Sequence, residues 1–164
     1  MALELDIYNL IQPVITGSVI FADQNKAREE LPYSTIKINS LVSVNDDHTS
    51  DADNSGNVKV TGDREFTLTI QHYSISLDAC SFLMNVANKL KRPSTIDAFF
   101  GAKYSMVTIN QVIDISALLD DTNIEKRAAL DVVLRYKSSI DDNVGVIDTA
   151  NIEGNDDSSA PVYF

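Results

Sequence analysis

The stretch Tyr33–Ser76, YSTIKINSLVSVNDDHTSDADNSGNVKVTGDREFTLTIQHYSIS, decides the fold. Ahead of its centre, Ile36, Ile38, Val42 and Val44 share one parity, with Lys37 and Asn39 on the other. After the centre, Phe66, Leu68 and Ile70 face one way while Glu65, Thr67, Thr69 and Gln71 face the other. Successive side chains of a strand point to opposite sides of a sheet, so two such segments predict a half-buried antiparallel pair. The acidic loop between them, Asp46 to Gly56, reads as a solvated connection, because Asp and Asn support turns by bonding their own backbone.

Outward from this pair, the apolar period changes to that of a helix. Ser76 is placed to cap a segment in which Ala79, Leu83, Val86, Ala87 and Leu90 form one stripe, and Pro93 is expected to close it. A short piece from Ser94 to Phe100 follows. Val107, Ile109, Ile113 and Ile115 predict a strand over 103–115, Leu118 to Thr122 a turn, and Ala128 to Tyr136 a further long strand of period two. A last strand, Val144 to Ile152, is expected to fold back through Asp141-Asp142-Asn143. Upstream, Leu3, Ile7, Leu10, Ile11 and Val14 predict a helix over 3–16 that ends near Pro13. Val19 to Ala22 then reads as a short strand, and Asp23 to Leu31 as irregular chain before Pro32. The fold class expected is α+β: a mixed, mostly antiparallel sheet of about four to six strands with two main helices on one face. Residues 1–153 are expected to form one domain and 154–164 a flexible acidic tail.

Composition narrows the function classes. The chain has 164 residues and a net charge of −11, with 44% hydrophobic and 23% charged residues, a balance typical of a globular domain. The 13 basic residues are scattered, so tight binding to a phosphate backbone is not expected. Their densest cluster, Lys89-Leu90-Lys91-Arg92, falls where cations suit the negative end of a helix dipole. The apolar runs are too short to cross a bilayer, and the first residues lack the basic start and apolar core of a signal peptide. The single cysteine, Cys80, excludes an internal disulfide and suits a reducing compartment.

Each stretch with chemical potential has a plainer reading beside it. Asp51-Ala52-Asp53-Asn54-Ser55-Gly56 matches the opening of a calcium loop, yet Gly62 stands where the closing carboxylate belongs and Asp63 comes one residue late. A hairpin loop is the competing reading. His72 shares the parity of Phe66 and is expected as a hydrogen-bonded, partly buried imidazole; His48 sits beside Asp46 and Asp47 but finds no metal-ligand set. Cys80 near a helix start has no committed histidine partner, and Ser34, Ser40 and Ser105 lack a nucleophile elbow. The six glycines form no phosphate loop. No catalytic, cofactor-binding or metal residue is nominated, and no enzyme activity is expected.

Several phrases, taken in order, resemble the neck or tail-terminator proteins of tailed bacteriophages. They are Val19-Ile20-Phe21-Ala22-Asp23-Gln24-Asn25 with Arg28, Leu31-Pro32-Tyr33-Ser34-Thr35, Thr61 to Gln71, and Arg127 to Tyr136, with Gly145 following. The resemblance implies a small α+β subunit forming a sixfold ring at the head-proximal end of a tail. Such a ring halts tube growth and joins the tail tube, and the sheath where the tail contracts, to the neck or head connector. It implies a virion protein assembled in the host bacterial cytoplasm, with no membrane and no cofactor. DNA would pass through the ring without specific binding, a role that an acidic lumen suits because carboxylates repel phosphates. Gln24, Asn25, Arg28 and Arg64 become subunit-interface candidates; intrachain support of the loop around Pro32 is the alternative for them. Two stretches depart from the resemblance: the Asp46–Gly56 loop is long and acidic, and the tail from Gly154 to Phe164 has no counterpart. The rival functions are another virion subunit, of tail tube or head completion, and a calcium-binding module using Asp51–Gly56.

Overall fold

The computed structural model describes residues 2–24, 29–75, 78–118 and 124–146. Within them the order is α1 (Ala2–Ile11), β1 (Ser18–Phe21), β2 (Tyr33–Ser43), β3 (His48–Thr49), β4 (Asn57–Ser74), α2 (Ala79–Leu90), α3 (Pro93–Gly101), β5 (Tyr104–Ile109), β6 (Ile113–Asp114), β7 (Ala117–Leu118) and β8 (Ile124–Asn143). The sheet runs β1-β2-β4-β8-β5, with β3 beside β4 and with β6 and β7 beside β8. Only the β1–β2 pairing is parallel. The α+β expectation therefore holds in outline, with eight strands and three helices in place of four to six strands and two helices.

The spine of the molecule is the β4–β8 ladder, in register from Asn57↔Asn143 to Ser74↔Lys126. One face of it carries Phe66, Leu68 and Ile70 opposite Leu134, Val132 and Leu130, all buried. The three helices pack there. Ile7 and Ile11 come from α1, Leu83, Val86, Ala87 and Leu90 from α2, and Phe99 from α3. Burial of each large side chain is worth roughly 1.5–3 kcal/mol, which makes this layer the main source of stability.

Several sequence expectations are corrected. The helix expected over 3–16 stops at Ile11, and Pro13 lies in the turn that follows. Ser76 lies outside the described residues, and Asp78 occupies the N-cap of α2 without a side-chain capping bond. Pro93 does not close α2. It opens α3 at the first helical position, where the missing N–H has no partner to lose and the fixed φ suits the helix. The strand expected over 103–115 divides into β5 and β6. The turn over 118–122 meets β7 at Leu118, and its other residues lie outside the described ones. Asp141-Asp142-Asn143 make no turn: they are the last residues of β8, paired with Lys59, Val58 and Asn57. Val144–Val146 are not strand, and 147–152 fall outside the described residues, as does the tail from Gly154.

The parity assigned to β2 is also corrected. Its register against β4 shifts between Ile38 and Ser40, so Leu41, not Val42, stands beside Phe66 on the helix-covered face. Val42 instead stands beside Glu65 on the other face. The extra residue, Asn39, is a β-bulge, which turns over every side chain beyond it.

Candidate assembly surface

Beyond Tyr136, the last residue of β8 paired to β5, the sheet leaves its helices behind. Seven further residues of β8 and the first seven of β4 continue the ladder as an arm. At about 3.3 Å per residue it projects roughly 23 Å. A short layer braces its β4 side: β3 pairs with Thr61 and Val60, and Ser50 N–H donates to the Lys59 carbonyl at 2.9 Å.

The loop before the arm is fixed by its own side chains. Asp53 Oδ1 accepts the backbone N–H groups of Ser55 (2.8 Å) and Asn57 (2.9 Å), while Oδ2 accepts Asn57 Nδ2 at 3.0 Å. These bonds hold the Asp53 carboxyl below the usual carboxylate range, the Asn57 side chain being the largest cause. The residue central to the calcium motif thus spends both oxygens on the turn. Gly56 follows with φ +78°, and a Cβ built there would lie 2.5 Å from the Gly145 carbonyl carbon. Val144 N–H donates to the Gly56 carbonyl, so this close approach ties the arm's two ends together. The acidic clusters Asp46–Asp53 and Asp141–Asp142, far apart in sequence, meet at this end of the molecule through the β4–β8 register.

Arg64, nominated as an interface residue, makes a paired contact within its own chain. Its Nη1 and Nη2 donate to Asp47 Oδ1 and Oδ2 at 2.7 and 2.6 Å, and Nη1 also reaches Ser43 Oγ at 3.0 Å. Gly62 leaves room for this: a Cβ there would sit 1.9 Å from Asp47 Oδ1. The bond from Arg64 lowers the Asp47 pKa, and the same bond raises that of Arg64. Arg64 therefore pins the acidic loop over the sheet through Asp47 and Ser43. Gln24 is exposed at the lip of a cleft of about 470 Å³ where α1 meets β1 and β2, beside Asp23 and Lys37, which form an ion pair of 2.5 Å. Asn25 and Arg28 lie outside the described residues.

The sheet face opposite the helices is polar. Asn39 Nδ2 donates to Thr69 Oγ1 at 2.5 Å, and Thr69 Oγ1 donates to Asp131 Oδ1. Ser40 Oγ donates to Thr67 Oγ1 at 3.2 Å, and Arg135 Nη2 to Glu65 Oε2 at 2.8 Å. At its far end Tyr33 stacks on Tyr73 at 4.7 Å, Arg127 lies 5.0 Å over the Tyr73 ring, and Arg127 pairs with the buried carboxylate of Glu125. Sequence reasoning did not find this stack. Its members come from three separated strands, β2, β4 and β8, and only the strand register joins them.

On the helix side, Ser34 Oγ lies 2.9 Å from His72 Nδ1, and the His72 ring stacks on Phe82 at 3.8 Å. Burial lowers the His72 pKa, so the neutral ring is favoured. This is the hydrogen-bonded core imidazole expected from its parity. Cys80 is a free thiol packed against the core, and His48 is exposed. Lys89 Nζ donates to the Val14 carbonyl and to Thr16 Oγ1, both at 3.2 Å, which fastens α2 to the turn after α1. Among the described residues no group of three or more His, Cys, Asp or Glu is arranged to hold a metal ion, and no helix is long and apolar enough to cross a membrane.

A mixed sheet with helices on one face, polar side chains on the other, and an arm that runs beyond the helices defines a subunit suited to contact with other proteins. The chain belongs to the phage neck terminator protein family, whose model matches residues 5–158. A search among curated proteins finds no match. The chain is thus a structural virion protein of the phage neck, in a family of structural proteins and not of enzymes.

Proposed function

We propose that this protein forms a ring at the head-proximal end of the phage tail, stops growth of the tail tube and joins the tail to the neck or head connector. The observation that carries this reading is the polar sheet face turned away from the helices, with outer edges on β1 and β5 that no strand among the described residues pairs. Contact area is offered on several sides of the molecule, as a subunit with neighbours on each side and partners above and below requires. In this reading Gln24, with Asn25 and Arg28, faces an adjoining subunit, and Arg64 acts indirectly by holding the acidic loop in place. That loop faces the channel, where its carboxylates keep DNA from adhering. Residues 1–153 act as one domain, and 154–164 as an acidic tether whose Val162-Tyr163-Phe164 anchors on a neighbour.

Electron microscopy of particles made without this protein tests the reading. The expected result is tails of uncontrolled length, or heads and tails that stay apart. Joined particles with tails of normal length would overturn it. Deleting 154–164 is expected to reduce assembly and infectivity, and unchanged values would remove the tether from the account.

A further inference from the structure

We propose that the free edge of the arm, Lys137–Asn143 of β8, adds as a strand to the free edge of β5, Tyr104–Ile109, in a second copy of this chain. The proposal rests on the reading that copies of the protein assemble with one another, and it names the surfaces that meet.

The backbone supplies the first argument. β5 pairs with β8 only as far as Tyr136, so among the described residues Lys137–Asn143 are bonded to β4 alone. β5 in turn is bonded to β8 alone. Each edge presents backbone donors and acceptors that another strand can satisfy. Proteins that must stay apart place charge, Pro or a bulge on such edges; Tyr104–Ile109 reads YSMVTI and carries neither charge nor Pro, and its one irregularity is a bulge at Val107, where the register against β8 shifts between Met106 and Thr108.

The side chains supply the second. Beside the β5 edge runs a groove of about 310 Å³ lined by Leu90, Lys91, Ile96, Met106, Val107 and Ile109. Ile96 and Val107 are each 47% exposed, and Phe100, one turn along α3, is 73% exposed. The arm carries a matching apolar group at the middle of its free edge, Ile140, 62% exposed.

Charge sets the direction. The arm bears Asp141 and Asp142, of which Asp141 also lies 3.7 Å from Lys59. The β5 edge is flanked by the exposed Lys91 and, one residue before the strand, Lys103. An antiparallel addition with Ile140 opposite Val107 brings Asp142 toward Lys103. A parallel one would bring Lys137 there instead. A chain cannot make this contact with itself, because β8 runs straight on from Tyr136, already paired with Tyr104. The contact is therefore head-to-tail: each copy gives an arm and receives one, the arrangement that builds a ring when the rotation between copies closes.

Ile140→Cys combined with Val107→Cys, in a Cys80→Ala background, tests the contact by oxidation of the purified protein and of phage particles carrying it. The expected result is a ladder of covalent oligomers, with either single cysteine giving dimers at most. Asp141→Lys/Asp142→Lys and Lys91→Glu/Lys103→Glu are each expected to raise the concentration for half-assembly at least tenfold. Mixing the two variants is expected to restore it. Circular dichroism checks that each variant folds. Uncrosslinked monomers and unimpaired charge variants, in a protein whose wild type forms oligomers, would overturn this contact and leave the ring reading intact. A wild type that is monomeric in solution and present as single copies in the particle would overturn the ring reading, and this contact with it.

Discussion

Gly56 and Gly145 meet at a distance that excludes a Cβ on Gly56, and Gly56 also holds a backbone conformation that L side chains rarely adopt. Gly56→Ala is expected to open the tip of the arm, seen as faster hydrogen exchange at the Val144 amide with little change at Leu130. His72 gives a pH dependence whose sign follows from its burial. The folded pKa lies below the ordinary imidazole value of 6.5, so the unfolded chain binds the extra proton first. The stability contributed by the neutral ring is complete above the unfolded pKa and is lost as pH falls below it, toward the lower folded value. Thermal melts between pH 7.5 and 5 should show this loss, and His72→Phe should flatten it. Tyr104 acts at the other end of the scale: burial first, and then Asp6, raise its pKa to about 12, so its contribution is lost as pH climbs past 10. Arg127 neutralises a carboxylate with no exposed side-chain surface. Arg127→Ala is expected to cost about 3 kcal/mol, the lower end for a broken buried pair because Arg127 itself is partly exposed. Chemical denaturation measures it.

Among elements, β4 and β8 carry the core, and Leu130→Ala, at a site with no exposure, should cost about 2–5 kcal/mol in the same denaturation measurement. These strands were legible because both alternate over many residues with one face apolar. α2 was legible for a similar reason, its stripe of Ala79, Leu83, Val86, Ala87 and Leu90 matching its buried residues. What stayed hidden was decided by contacts between distant residues. Val42 follows the apolar parity of β2 yet sits on the other face, because a bulge at Asn39 intervenes, and no local pattern marks a bulge. Asp141-Asp142-Asn143 have the composition of a turn, but pairing with Asn57, Val58 and Lys59 keeps them extended. Pro93 marks a helix boundary in the sequence, but a proline suits the first turn of a helix as well as the chain after one, and here it opens α3. Of the nominated site residues, Arg64 was singled out as important, but its partner Asp47 lies across a loop whose path the sequence does not reveal.

For the whole molecule, charge is distributed unevenly. The carboxylates of two remote segments collect at the arm, while Lys89, Lys91 and Arg92 mark the helix-covered half. Replacing Asp46 and Asp51 by Asn, with Asp47 left to hold Arg64 and Asp53 left to hold the turn, is expected to leave assembly intact and to slow DNA ejection from particles, measured as genome release over time. Loss of assembly would place these carboxylates at a subunit boundary. A second whole-molecule property follows from the two bulges. Asn39 in β2 and Val107 in β5 flank the same rung of the sheet, Thr67 opposite Val133. Bulged strands bend and twist more strongly than regular ones. The heading of the blade beyond that rung is therefore steered from both margins by one supernumerary residue apiece. Removing either would swing it toward a new azimuth while the packed interior stayed whole, a route by which subunits of the ring proposed above could be retuned to a different diameter without rebuilding their hearts.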